Sequence, residues 1–124
     1  MEATGLRQKL VVVDDDEHVR RALARVLRVH GHEVRTFGCA ETYLASQCEA
    51  DCAILDVELP GIIGLELEAR LRERGDSMPI VFITAHREAA TLAAIHATLC
   101  PFMIKPVDEE DLLAAIAIAT VAQA

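Results

Sequence analysis

Residues 9–31 read KLVVVDDDEHVRRALARVLRVHG, and the way this stretch resolves decides the fold. Leu10–Val13 is an uninterrupted apolar run, rich in β-branched valine, that stops abruptly at Asp14-Asp15-Asp16. Such a run suits a strand buried on both faces. From Glu17 to His30 the apolar residues fall at Val19, Ala22, Leu23, Val26 and Leu27, the i, i+3, i+4, i+7, i+8 spacing of one helical face. Gly31 follows as a stop signal.

The same alternation continues outward. Glu33–Phe37 reads as a strand and Ala40–Gln47 as a short helix; Ala53–Leu55 is an apolar strand ending at Asp56. Gly64–Arg74 reads as a helix with Leu67 and Leu71 inward and Glu66/Arg70 and Glu68/Arg72 as exposed i,i+4 pairs. Pro79–Ile83 is a strand ending at Thr84, Glu88–Ala97 a helix, and Phe102–Ile104 a strand ending at Lys105-Pro106. A final helix starts at Asp108, its first-turn acids favoured by the helix dipole. Five strand–helix units in 124 residues imply an α/β fold: one doubly wound parallel sheet with helices on both faces, formed by a single domain over residues 1–124 with its core at about 9–120.

Composition agrees. The chain is 52% hydrophobic, with enough apolar surface for a real core, which excludes intrinsic disorder. A formal net charge of −8 argues against a nucleic-acid surface, since phosphate binding needs clustered Lys and Arg. Leu112–Ala122 is too short to span a bilayer, which takes about 20 residues, and no secretory h-region appears, so the chain reads as cytoplasmic with no membrane partner. Cys39, Cys48, Cys52 and Cys100 have no CxxC spacing, and no paired His ligands accompany them, so they read as free thiols.

Asp14, Asp15, Asp56, Thr84 and Lys105 all lie at carboxyl ends of expected strands, which converge on the ligand crevice of an open α/β sheet. Carboxylates gathered there repel one another and call for a counter-charge. A hard divalent cation with oxygen ligands fits, Mg²⁺ foremost, because it takes one or two carboxylates and keeps waters. With a hydroxyl and an ammonium added, the set suits a transferring phosphoryl group, where positioning and charge neutralisation do most of the chemistry.

These segments, VVVDDDEHVRRAL, ILDVELPGIIGLEL, PIVFITA and FMIKPVD, stand in the order and at the separations of a response-regulator receiver domain of bacterial two-component systems. The resemblance covers about Lys9 to Thr120. It implies the flavodoxin-like receiver fold with strand order 2-1-3-4-5. It implies that Asp56 accepts a phosphoryl group from a sensor histidine kinase. Asp56 and Asp15 would ligate Mg²⁺ directly, Asp14 through water, and Glu58 through its backbone carbonyl. Lys105 would pair with phosphoryl oxygens and Thr84 would hydrogen-bond one of them. Phe102 matches the aromatic whose rotamer accompanies activation. Asp16 reads as a helix cap rather than a ligand.

Departures from the family pattern are local. Ile63-Gly64 stands where an Asp-Gly or Ser-Gly pair is usual, Thr98-Leu99 replaces a common Gly-Ala, and Pro101 stiffens entry to the last strand. Glu58 and His86, each two residues beyond a site residue, are expected to tune the phosphoryl lifetime. Arg21, Arg25 and Arg28 form a stripe on the first helix that either is simply solvated or docks an acidic kinase surface.

Beyond residue 88 the only charged residues are Lys105, Asp108, Glu109, Glu110 and Asp111. Ala114, Ile118 and Val121 lie off the Leu112/Ile116 stripe, so apolar surface is expected to face outward. The face formed by residues 88–121 is therefore expected to carry a homodimer or an output-domain contact. The FITA and FMIKPVD segments are similar to those of receivers attached to LuxR-type helix-turn-helix domains, so DNA would be reached only through a separate output domain. Ending within an uncharged helix favours a receiver cut from a longer regulator over a stand-alone one. A haloacid-dehalogenase-like phosphatase fits poorly, because Asp14-Asp15-Asp16-Glu17-His18 fails its Asp-x-Asp-x-Thr/Val pattern and the later acidic pair is missing.

Overall fold

The computed structural model describes residues 7–121, so the outer ends of the expected domain lie outside the described residues. Ten elements alternate: β1 (Lys9–Val13), α1 (Glu17–Val29), β2 (Glu33–Phe37), α2 (Ala40–Ser46), β3 (Cys52–Asp56), α3 (Gly64–Glu73), β4 (Ile80–Thr84), α4 (Ala89–Ala97), β5 (Phe102–Ile104) and α5 (Glu109–Val121). The strands form one parallel sheet in the order β2-β1-β3-β4-β5. That is the expected architecture, with element ends moved by a residue or so. Asp56 and Thr84 close their strands rather than following them.

Burial on both faces accounts for the continuous apolar strands. Leu10, Val12, Ile54, Val81 and Ile83 pack with Leu23 and Leu27 of α1 and Leu112 and Ile116 of α5. The alternate residues Val11, Val13, Leu55, Ile80 and Phe82 pack with Tyr43 of α2, Leu67 and Leu71 of α3, and Ile95 of α4. Helix α1 is rotated slightly from expectation: Ala24 is buried and Ala22 is exposed. Asp16 caps it, accepting from His18 N at 2.9 Å and Val19 N at 3.2 Å. The expected pairs on α3 form, Arg70 to Glu66 at 2.8 Å and Arg72 to Glu68 at 3.0 Å. The first is exposed as expected, but the second is partly buried because Arg72 also donates to the Asp76 and Met78 carbonyls.

Helix α4 buries only Ile95, and β5 is the half-buried edge of the sheet. On α5, Ala114 is exposed, Ile118 is 62% exposed and Val121 72%, as the absence of charge there predicts. Between α4, β5 and α5 runs a groove of about 660 Å³ whose lining includes His96, Leu99, Phe102 and Ile118. Cys52 is buried, which pushes its thiol up to about 12, and all four cysteines are free.

Leu99 ends the α4 turn with φ of 63°, the left-handed region that glycine normally fills at this position. Its side chain is 91% exposed, so nothing it buries compensates the strain. Leu99→Gly is expected to stabilise the domain by about 0.5–1 kcal/mol, the relief of left-handed strain less glycine's unfolded-state entropy. Urea unfolding at fixed pH measures the gain.

Candidate functional site

The sheet itself assembles the site. Its ladder runs one residue past the strands: Asp14 N donates to Phe37 O at 3.1 Å, Val57 N to Ile83 O at 2.9 Å, and Lys105 N to Thr84 O at 2.8 Å. Those bonds bring the carboxyl ends of β1, β3, β4 and β5 together at the point where strand order reverses. Asp14, Asp56 and Thr84 are buried there, while Asp15 is exposed at the rim.

Lys105 reaches across the gap. Its Nζ donates to Asp56 Oδ2 at 3.1 Å and lies 3.0 Å from Asp14 Oδ2. Asp14 Oδ1 accepts from Asp16 N at 2.9 Å, but its buried Oδ2 accepts no aligned hydrogen bond. Asp56 Oδ1 accepts from Glu58 N at 3.0 Å. Burial pushes both carboxyls above their ordinary range, and the backbone donors and Lys105 only partly offset it. Burial alone would pull the Lys105 ammonium down, yet its contacts with Asp14 and Asp56 outweigh that and leave it raised.

Carboxylate oxygens of Asp14, Asp15 and Asp56 lie within 4.8 Å of one another. An all-oxygen donor set, with one buried carboxylate oxygen lacking a hydrogen bond, fits a hard cation rather than zinc or copper. Gly64, the first residue of α3, allows the loop after Asp56 to fold back on it. Gly64 N donates to Val57 O at 3.0 Å, and a Cβ at 64 would stand 2.3 Å from the Asp56 carbonyl oxygen.

The remaining expected residues sit around this centre. Glu58 is half-buried and turns its side chain away from the acids, accepting from Thr84 Oγ1 at 2.6 Å and Ala85 N at 3.1 Å. His86 is exposed. Its N–H donates to Thr84 Oγ1 at 3.0 Å, and its ring turns outward to Glu88 at 3.1 Å, a contact that raises the imidazole. Phe102 is half-buried at the start of β5, edge-on to His96 with ring centroids 5.1 Å apart. On α1, Arg21, Arg25 and Arg28 are all exposed; Arg21 pairs with Glu17 at 3.8 Å and Arg28 donates to Val34 O at 2.9 Å. Arg20, which the sequence reading passed over, donates to the Asp14 carbonyl at 2.7 Å and braces the β1 end. Its place one turn beyond Asp16 was the available signal.

A doubly wound sheet with acids, a hydroxyl and one ammonium converging at its switch point defines a flavodoxin-like domain whose acidic cluster could bind a metal ion. The chain belongs to the response regulator receiver domain family, whose sequence profile matches residues 10–117. It is 39% identical over 110 residues to the response regulator protein TmoT of Ectopseudomonas mendocina, covering 86% of this chain and 50% of TmoT. It is 36% identical over 116 residues to the transcriptional regulatory protein TdiR of Thauera aromatica, covering 91% and 51%. The solved structure of the response regulator StyR superposes with a TM-score of 0.82 at 41% identity, covering 92% of this chain and 59% of that one. The chain thus spans about half the length of the curated relatives it matches. It is a receiver domain of the kind response regulators use in two-component signalling. No helix among the described residues is long and apolar enough to cross a membrane.

Proposed function

We propose that this receiver is a phosphorylation-operated switch rather than an enzyme turning over an external substrate, and that Asp56 is its acceptor. A carboxylate oxygen of Asp56 attacks the phosphorus of a sensor kinase's phosphohistidine; the P–O bond forms, the P–N bond breaks, and the imidazole leaves. The observation that carries this reading is the Lys105 ammonium set between two buried carboxylates, 3.1 Å from Asp56 and 3.0 Å from Asp14. It is a fixed positive charge at the place where phosphoryl oxygens arrive, and it needs no reorganisation to serve them. Thr84, at the end of the neighbouring strand, supplies a hydroxyl for one of those oxygens. Asp14, Asp15 and Asp56, with the Glu58 carbonyl, would hold Mg²⁺, whose charge offsets that of the transferring group. His86 and Glu58, at the rim, tune the lifetime of the product, and Phe102 changes rotamer as the domain activates.

The output surface is the α4–β5–α5 face. It gathers Leu99, Ala114, Ile118 and Val121 with few charges, and apolar patches of this kind mark partner sites. A homodimer or an output domain covers it after phosphorylation. The relatives include a transcriptional regulator about twice the length of the matched region, which supports a regulatory domain of a transcriptional regulator. That regulator would be cytoplasmic and reach DNA through a separate output domain, of LuxR type on the style of the FITA and FMIKPVD segments. Arg21 and Arg25 on α1 are the candidate contacts for the kinase.

Incubation with Mg²⁺ and acetyl phosphate, followed by intact mass measurement, tests the switch. A stable phosphoryl adduct is expected in the wild type and none in Asp56→Asn. Rapid multiple turnover would indicate a phosphatase instead, and no adduct would indicate a constitutive interaction module. Sedimentation velocity of the adduct tests the dimer, which an unchanged mass would exclude.

A further inference from the structure

We infer that the Glu58 carboxylate is a resident occupant of the phosphoryl-binding donors, a latch that must leave before Thr84 can engage a phosphoryl group on Asp56. This rests on Asp56 as the acceptor and adds how the same site is restrained. Glu58 is anchored at its backbone, where its N–H donates to Asp56 Oδ1 at 3.0 Å. Its side chain then crosses from the loop after β3 to the end of β4. One carboxylate oxygen takes the Thr84 hydroxyl at 2.6 Å and the other takes the Ala85 N–H at 3.1 Å. The hydroxyl is also the acceptor for His86 N at 3.0 Å, so it has one proton and that proton is committed to Glu58.

A hydroxyl and an adjacent backbone N–H at a strand end form a two-pronged donor for one oxyanion. A carboxylate and a phosphoryl oxygen pair compete for the same two donors, since both are acceptor-only anions. Two hydrogen bonds to a charged acceptor are strong contacts to break. The unphosphorylated state is therefore held by a group that imitates part of the ligand, and phosphorylation must displace it.

Length separates this latch from simple repulsion between anions. Glu58→Asp keeps the charge but is one methylene too short to bridge both donors, whereas Glu58→Gln removes the charge and keeps one acceptor oxygen. In the full chain, Glu58→Asp is expected to form the acetyl-phosphate adduct on the order of tenfold faster than wild type, about the worth of one charge-assisted hydrogen bond. The phosphoryl breaks its P–O bond to acetate, which leaves, and forms the new one to Asp56. Beryllofluoride, a non-covalent phosphoryl mimic, should bind more tightly by a similar factor. In a Thr84→Ala background the gain from Glu58→Asp should shrink to about threefold or less, because the hydroxyl prong is already gone. Wild-type rates for Glu58→Asp alongside acceleration in Glu58→Gln would overturn the latch and assign the effect to charge. An undiminished gain in the Thr84→Ala background would overturn it as well. Failure of the acceptor reading looks different: no variant forms an adduct, wild type included.

Discussion

Gly64→Ala is expected to cost about 3 kcal/mol or more, at the upper end of what overpacking a buried position costs. The added Cβ would stand 2.3 Å from the Asp56 carbonyl oxygen and 3.0 Å from both the Asp56 carbonyl carbon and the Val57 Cα. All three are backbone atoms, so no side chain can swing aside. Relief requires either withdrawing α3, and with it the buried Leu67 and Leu71, from the core, or pushing the carboxyl end of β3 outward. The first loosens the core; the second moves Asp56 relative to Lys105, now at 3.1 Å. Stability and phosphorylation should therefore fall together, the melting temperature by roughly 10 °C. Gly38→Ala is the control, because a Cβ there meets only the Arg20 guanidinium at 3.4 Å, an ordinary contact with a flexible group. Thermal unfolding of both variants decides the matter; equal, small shifts would mean that the loop after Asp56 is softer than its contacts indicate.

The same glycine shows where sequence reading stops. Ile63-Gly64 was legible as a departure from the usual Asp-Gly or Ser-Gly pair, but the need for a missing Cβ depends on how closely the loop returns to β3. What did read out was whatever follows from period and direction. Leu10–Val13 and Ile80–Ile83 are apolar at every position because helices cover both faces of the sheet. Parallel strands then bring Asp14, Asp56, Thr84 and Lys105 to one edge without further information. Strand order came from the resemblance to receivers, not from the pattern. Side-chain direction outside regular elements was not legible. Glu58 sits two residues past a strand end, where backbone geometry alone decides whether its carboxylate meets the acids or Thr84. Leu99 was likewise unreadable as a left-handed residue, since leucine disfavours that conformation and only the turn into β5 imposes it.

Asp14→Asn separates the electrostatic cost of the site from its use. In wild type the domain should gain about 2.7 kcal/mol of stability when free Mg²⁺ reaches 100 times its dissociation constant, the linkage expected of a ligand that binds only the folded state. The variant should gain under about 1 kcal/mol at the same concentration, having lost the charge on a buried carboxylate of the three-acid cluster. Without divalent cations the order reverses. Two buried carboxylates share one ammonium, and Asp14 Oδ2 has no aligned hydrogen bond, so a neutral amide removes a like charge while Lys105 keeps Asp56 at 3.1 Å. The variant should then be more stable than wild type by about 1 kcal/mol at pH 7. The sign of the pH dependence follows from burial, which raises the Asp14 and Asp56 carboxyls above their unfolded values. Protonation therefore favours the fold. The stability it contributes is present below the ordinary carboxylate range, about pH 4, and is lost as the pH rises through the folded values. Asparagine at 14 cannot undergo that loss, so the variant's advantage should be largest near neutrality and shrink toward pH 4. Urea titrations in chelator at both pH values, repeated with Mg²⁺ at pH 7, measure all three effects; a variant that is less stable in chelator and gains as much from Mg²⁺ as wild type would place the cation elsewhere.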